Sequence, residues 1–177
     1  MPFTAKQLRR SLKELGVEAS KDPLPDTLRE AGFEKLSAFC KTRRYTNPDD
    51  RGNHVRVTFV VPPKATKLTV GVYRAYVMNT ARNRARAFMA ALGVCARTFL
   101  VQAEWNAPSE SLGFAIEMPV MDGTLTTAQI HRMVTTLLGV LDDYDPVMRR
   151  AAEEGVVDFS SLQQPGAQDE EEDEDDA

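Results

Sequence analysis

The chain opens on leucines at every third or fourth position, a pattern typical of an amphipathic helix. Thr4 and Gln7 precede this pattern as a capping box, in which each side chain bonds the backbone N–H of the other residue. The pattern predicts a first helix that ends at Gly16 and a shorter second helix over residues 25–31. Both helices have one apolar face and need a surface to pack on.

Alternating apolar and polar residues dominate the next hundred positions and predict strands. Residues 55–61, 68–72, 99–105 and 112–118 have this period of two. Residues 33–45 fit a strand or a helix about equally well, so both alternatives stay open there. Strands joined by short turns pair antiparallel, because a parallel crossover needs about a dozen residues.

Helical segments separate and follow the strands. An alanine- and arginine-rich helix is predicted over residues 79–92, and Gly93 is expected to end it. A second capping box, Thr126 with Gln129, begins a long apolar helix, which Pro146 is expected to break or kink because proline lacks the N–H donor. The predicted order is α-α-β-β-β-α-β-β-α. This is an α+β fold whose mainly antiparallel sheet has its helices packed on one face.

This order resembles the YbjN family, whose fold is akin to that of type III secretion chaperones. The resemblance covers roughly residues 34–150 and rests on the central helix, the strand end Ile116-Glu117-Met118-Pro119, the turn Asp122-Gly123 and the capped long helix ending near Asp145-Pro146. It implies a non-enzymatic, usually dimeric module that binds another protein or acts in regulation. The segment 79–86 is richer in arginine than this resemblance implies.

Charge divides the chain into two unequal parts. The formal net charge is −4, from 22 Lys+Arg and 26 Asp+Glu. Eight acids form one run, so residues 1–168 hold 22 basic against 18 acidic side chains, a net of +4. We expect a single chaperone-like α+β domain over residues 1–158 and a disordered acidic tail over residues 159–177. The run consists of Asp169, Glu170, Glu171, Glu172, Asp173, Glu174, Asp175 and Asp176.

Several function classes are not expected. No apolar run has the length of a signal peptide or a membrane span, and Cys40 and Cys95 lack the spacing of a zinc site or a disulfide scaffold. The expectation is a cytoplasmic protein with reduced thiols. His54 and His131 lie outside any catalytic pattern, and no motif supplies a nucleophile, a base and an oxyanion donor. We therefore expect no enzyme activity, no metal and no cofactor.

Arginines cluster around the start of the central helix, where the helix dipole disfavours cations. A polyanion, either nucleic acid or an acidic peptide, would relieve that repulsion, and an ordinary solvated helix face is the alternative. The candidate partner- or polyanion-binding residues are Arg74, Arg82, Arg84, Arg86 and Arg97.

The acidic tail has three possible roles. It could dock on the basic groove of an external protein, such as a DNA-handling protein, fold back on the chain's own arginines, or only keep the protein soluble. The external partner is the preferred functional interpretation.

The long helix carries more apolar residues than one sheet face needs, which predicts a homodimer. The residues of this dimer or partner surface are Val140, Tyr144, Val147 and Met148. The nearby acids Asp142, Asp143 and Asp145 match no calcium loop and are interpreted as a solvated helix end.

The leading functional hypothesis is a non-enzymatic protein-binding adaptor or chaperone-like regulatory module that acts as a homodimer. The alternative is a nucleic-acid-associated regulator, or an accessory factor of a single-stranded-DNA-binding or DNA repair protein, with weak direct binding to nucleic acid. Direct phosphate contact predicts a steep loss of affinity with salt, so a salt-titrated DNA-binding assay separates the two.

Overall fold

Six antiparallel strands and four α-helices make up the part of the chain that the computed structural model describes, residues 3–46, 52–78, 81–120, 125–160 and 162. The predicted α+β class is confirmed. In chain order the elements are α1 (Ala5–Glu14), β1 (Ala19–Lys21), α2 (Asp26–Glu30), β2 (Glu34–Lys41), β3 (His54–Val61), a 3-10 turn (Pro63–Ala65), β4 (Lys67–Val77), α3 (Arg84–Arg97), β5 (Val101–Asn106), β6 (Ser111–Pro119) and α4 (Thr127–Glu153).

The sheet has the strand order β1-β2-β3-β4-β6-β5, with every neighbouring pair antiparallel. A row of buried apolar residues crosses its inner face, where Phe59 stands opposite both Leu36 and Val70, and Val70 stands opposite Ile116. Helix α4 packs on β4 and β6 and contacts α1 and α3 beside it. Helices α1, α3 and α4 therefore form one layer over the core.

Both predicted capping boxes are confirmed. The Gln7 N–H donates to Thr4 Oγ1 at 3.3 Å, and the Thr4 N–H donates to Gln7 Oε1 at 2.8 Å. At the start of α4 the same exchange joins Thr126 and Gln129, at 2.8 and 3.2 Å. Each box pairs two backbone donors that the helix itself leaves unsatisfied.

The sheet contains one strand more than the sequence pattern predicts. The open alternative at residues 33–45 is resolved as strand β2, whose whole length pairs with β3. Strand β1 was not predicted, because three residues are too few to display a period of two. It pairs with Leu36, Ser37 and Ala38 of β2 and so forms one edge of the sheet.

The predicted bounds of the central helix are wrong. Helix α3 begins at Arg84 and runs through Gly93 to Arg97, whereas residues 79 and 80 lie outside the described part of the chain. The helix continues past Gly93 because the next turn is held by packing, with Val94 completely buried.

Pro146 does not break the last helix, so that part of the expectation is wrong: α4 runs without interruption from Thr127 to Glu153. Proline removes one backbone donor, but Val147, Met148 and Ala151 beyond it are all buried in the core. Burial of those side chains offsets the lost hydrogen bond.

The folded part extends past the predicted boundary at residue 158, because Phe159 and Leu162 pack against the core. The Asp122-Gly123 turn and the acidic run at 169–176 lie outside the described residues. Among the residues that are described, no helix is long and apolar enough to cross a membrane.

Candidate functional site

A group of large apolar side chains stays exposed where helix α3 meets strand β5. Phe99 is 84% exposed, Leu92 67% and Trp105 42%. Met89 is also exposed, as is Leu100, whose φ of 67° lies in the left-handed region that non-glycine residues rarely adopt. We call these five residues together with Phe88 the α3–β5 surface. A patch of this kind on a soluble protein typically marks an interaction site.

Strand β5 forms the second edge of the sheet and pairs only with β6 among the described strands. Its Val101, Ala103 and Trp105 stand opposite core residues of β6 and so face the helix layer. The Trp105 ring meets Phe88 of α3 edge to face, with the ring centroids 5.2 Å apart. The open strand edge and the exposed helix face are therefore adjacent.

The other face of β5 is polar. Gln102 donates a hydrogen bond to Glu104 at 3.2 Å. Burial raises the pKa of Glu104, and the nearby Glu117 raises it further, whereas the bond from Gln102 lowers it. The edge strand thus has one apolar and one polar face. Each face can pair with the corresponding face of another strand that has the same pattern.

Of the predicted arginines, Arg84 is engaged within the fold. Its guanidinium donates to both carboxylate oxygens of Glu110, at 3.1 and 3.3 Å, and to the carbonyl oxygen of Met78 at 2.7 Å. These bonds tie the first turn of α3 to the β5–β6 turn. Arg84 therefore has a structural role that the sequence pattern did not reveal.

Arg82, Arg86 and Arg97 remain exposed along α3 or just before it. Arg86 contacts the sulfur of Met89, at 3.8 Å, and Arg97 lies over the ring of Phe159, 4.0 Å from its centroid. None of the carboxylates that the structure describes pairs with these three arginines. We call them the α3 arginines.

Arg74 lies elsewhere, on strand β4. It lines a cavity of about 320 Å³ where β3 and β4 separate, together with Asp22 and Arg56. The Asp22 side chain is buried and accepts hydrogen bonds from Ser37 at 2.9 Å and from Arg56, and Lys35 lies 3.7 Å away. The structure does not bring Arg74 together with the α3 arginines.

The segment after α4 runs along helix α3. Gly155, with φ of 75°, follows the end of α4 beside Asn83, whose N–H donates to the carbonyl oxygen of Ala152. Four residues later the ring of Phe159 lies against Gly93. A β-carbon at residue 93 would be 2.5 Å from the phenyl Cζ. Gly93 is therefore needed for this close approach rather than as a helix stop.

The predicted dimer surface on α4 requires a correction. Val140, Val147 and Met148 are at most 5% exposed and lie in the core of the same chain, and Tyr144 is half-buried with its ring 6.3 Å from that of Phe159. The apolar surplus that motivated this surface is covered by the chain's own C-terminal segment and sheet. The dimer prediction itself stays untested, but α4 no longer supports it.

Asp142 is a structural residue that sequence reasoning missed. The solvated-helix-end interpretation is wrong for it, since its carboxylate is buried and accepts N–H bonds from Arg43, Arg44 and Tyr45 at 2.8–3.0 Å. Burial raises the pKa of Asp142, but these backbone donors outweigh it and hold the pKa below its usual range. Asp142 thereby anchors the chain after β2.

Asp145 continues this buried network one turn later. It pairs with Arg149 at 2.8 Å, and Arg149 donates to the carbonyl oxygen of Thr46 at 2.7 Å. Burial raises the pKa of Asp145 despite the hydrogen bond from Arg149. Tyr45 completes the network by donating its hydroxyl to the carbonyl oxygen of Ala75. The sequence did not reveal this network, because Asp142 and Arg149 bind backbone groups of residues 43–46, about a hundred residues earlier in the chain.

No three His, Cys, Asp or Glu side chains group as a metal site within the described part of the chain. What the described geometry offers is therefore a binding surface: the apolar α3–β5 surface at a sheet edge, with the α3 arginines beside it.

Comparisons with known proteins give a point of reference for the fold. No protein-family model matches the chain, and no curated protein matches it. Among solved structures it is similar to YbjN, a proposed transcription regulator from E. coli, at 13% sequence identity, with 81% of this chain and 92% of that chain covered and a TM-score of 0.47.

Proposed function

We propose that this protein is a non-enzymatic protein-binding module that acts as a homodimer, and that the α3–β5 surface is where two copies meet. The observation that carries the proposal is the exposed apolar side chains beside an open strand edge. A strand edge flanked by apolar residues exposes unpaired backbone groups and favours association unless it is covered. A second copy covers the strand edge and the helix face at once.

The side chains of β5 allow it to pair with itself in a favourable register. Residues directly opposite each other in an antiparallel pair lie on the same face of the sheet. When a strand pairs with its own copy, the two-fold axis must therefore pass between the two copies of one residue. With Ala103 opposite Ala103 of the second copy, Val101 meets Trp105 and Gln102 meets Glu104. The pairs are then apolar on the inner face and hydrogen-bonding on the outer face.

Centring the pair on Glu104 is disfavoured. That register places Glu104 opposite its own copy, and like charges directly opposite destabilise a strand pair. Burial and Glu117 already raise the pKa of this carboxyl, so a second carboxylate would add to an existing penalty. The register centred on Ala103 is therefore the one we propose.

The same two-fold arrangement covers the helix face. The strand pair extends the sheet, so the α3 helices of the two copies come side by side on its inner face. The exposed Met89 and Leu92, one turn apart on α3, then contact the second copy, as do Phe99 and Leu100 from the adjoining loop. Isologous contacts of this kind are the commonest way in which soluble proteins dimerise.

Multi-angle light scattering on the full chain at micromolar concentration tests the proposal. We expect a dimer for the natural sequence and a monomer for Leu92→Glu, because the carboxylate would be buried in the dimer. Leu28→Glu is the matched control, since Leu28 is an exposed leucine on α2, away from β5, and should leave the dimer intact. A monomeric natural chain, or a dimer in which Leu92→Glu has no effect, would contradict the proposal.

A further inference from the structure

The described part of the C-terminal segment lies along helix α3 and ends beside one of the α3 arginines. It starts beside Asn83 at the beginning of α3, and four residues after Gly155 it reaches Gly93 and Arg97. It thus runs along the helix from its start toward its end. The Leu162 N–H then donates to the carbonyl oxygen of Phe159 at 3.3 Å, so the described chain ends near Arg97.

The length of chain beyond that point is sufficient to reach all three arginines. Residues 163–168 separate Leu162 from the first acid, and six extended residues span about 20 Å. Arg86 and Arg97 are eleven residues apart, about three turns, so they lie on one side of α3 roughly 16 Å from each other. The acidic run of eight residues can therefore lie along this side of the helix.

The opposite charges of the acidic run and the α3 arginines favour this contact. The run holds eight acids and no base. The α3 arginines are exposed and pair with no carboxylate that the structure describes. Arg97 is also held in place by its contact with the ring of Phe159, which belongs to the segment that leads into the run.

We propose that the acidic run, residues 169–176, binds Arg82, Arg86 and Arg97 of its own chain. A tether of six residues gives the run an effective concentration in the millimolar range, so it outcompetes dilute acidic ligands. A protein with a basic groove would take the run away and uncover the arginines. Arg86 borders the proposed dimer surface through Met89, so the test includes a chain with Leu92→Glu to keep the two proposals distinguishable.

The test uses a fluorescent peptide of residues 163–177 and the full chain in two forms. One has the natural sequence, and the other has Asp→Asn and Glu→Gln throughout residues 169–176. The neutral-tail form should bind the peptide, and the natural chain should bind it at least about tenfold more weakly, because its own run occupies the site. Binding should weaken further as salt is raised, since exposed charges are screened.

Two double variants of the neutral-tail form locate the contact. Arg86→Gln with Arg97→Gln should lose most of the peptide affinity, whereas Arg9→Gln with Arg132→Gln, exposed on α1 and α4, should keep it. Equal binding by the natural and neutral-tail forms, no binding by the neutral-tail form, or unchanged binding by the Arg86/Arg97 variant would each overturn the proposal. Repeating the titration with the Leu92→Glu chain separates this result from the outcome of the dimer test.

Discussion

The ring of Phe159 and the backbone of Gly93 are in direct contact, so that helix α3 and the C-terminal segment meet at a position where only glycine fits. Alanine at 93 improves the helix propensity of α3 by up to about 1 kcal/mol, but its methyl group displaces the ring. We expect Gly93→Ala to change the free energy of unfolding by less than about 1 kcal/mol. Hydrogen exchange over residues 156–160 should accelerate markedly, because the segment loses its anchor.

Gly139→Ala is the control for this prediction. Gly139 lies in α4, and nothing comes within 4 Å of a β-carbon built there. The substitution should therefore stabilise the protein by about 0.5–1 kcal/mol and leave exchange of the C-terminal segment unchanged. Unaltered protection of residues 156–160 in Gly93→Ala would show that Phe159 does not depend on this contact.

Asp142→Asn is expected to destabilise the fold by about 2–4 kcal/mol. The substitution removes the charge that accepts backbone N–H bonds from Arg43, Arg44 and Tyr45, and hydrogen bonds to charged groups contribute about 1.5–3 kcal/mol each. Asp143→Asn, at the adjacent exposed position, should stay within about 0.5 kcal/mol. Urea unfolding of the three proteins measures the difference. Equal stabilities of the two variants would contradict the anchoring role.

The stability difference between the natural chain and Asp142→Asn should depend on pH. The folded-state pKa of Asp142 is lowered, whereas an unfolded aspartate titrates near 3.9. The ionised carboxylate therefore stabilises the fold above about pH 4, and this contribution is lost as the pH falls through the folded-state pKa. We expect the gap to be largest near neutral pH and to narrow in acid. The Asp142 charge also contributes to the raised pKa of Asp145, so the gap includes this coupling between the two carboxyls. A gap that widens in acid would contradict the lowered pKa.

Pro146→Ala is expected to stabilise the protein by about 1–2 kcal/mol. Alanine restores a backbone donor inside α4, and Pro146 is exposed, so little packing is lost. A more flexible unfolded chain offsets about 0.4–1 kcal/mol of the gain. Thermal unfolding of the two proteins provides the measurement. A lower midpoint for Pro146→Ala would show that α4 depends on the proline at this position.

Local sequence signals predicted the fold well wherever the cause of structure is local. The capping boxes at Thr4 and Thr126 are decided by residues three apart, and the strands by a period of two along one segment. The same reasoning failed at Gly93 and Pro146. There the outcome depends on packing against distant parts of the chain, since Phe159 lies against Gly93 and Met148, which follows Pro146, is buried in the core.

The binding surface was harder to predict because exposure is not a local property. An alternating pattern places Phe99 in a strand, but β5 begins at Val101 and leaves Phe99 exposed. The apolar residues of α4 looked like surplus surface, yet the sheet and the C-terminal segment cover them. The sequence did identify Arg82, Arg86 and Arg97 beside this surface, since charge clustering along a helix is visible in the sequence itself.

The central claim is that two copies pair through β5 with Ala103 on the two-fold axis. Ala103→Cys, in a full chain whose Cys40 and Cys95 are replaced by alanine, tests it directly, because residues on the axis face each other at a distance that a disulfide spans. Mild oxidation should give a covalent dimer in high yield for Ala103→Cys and little for the control Asn106→Cys. Equal cross-linking of the two variants, or none in either, would contradict the proposed dimer.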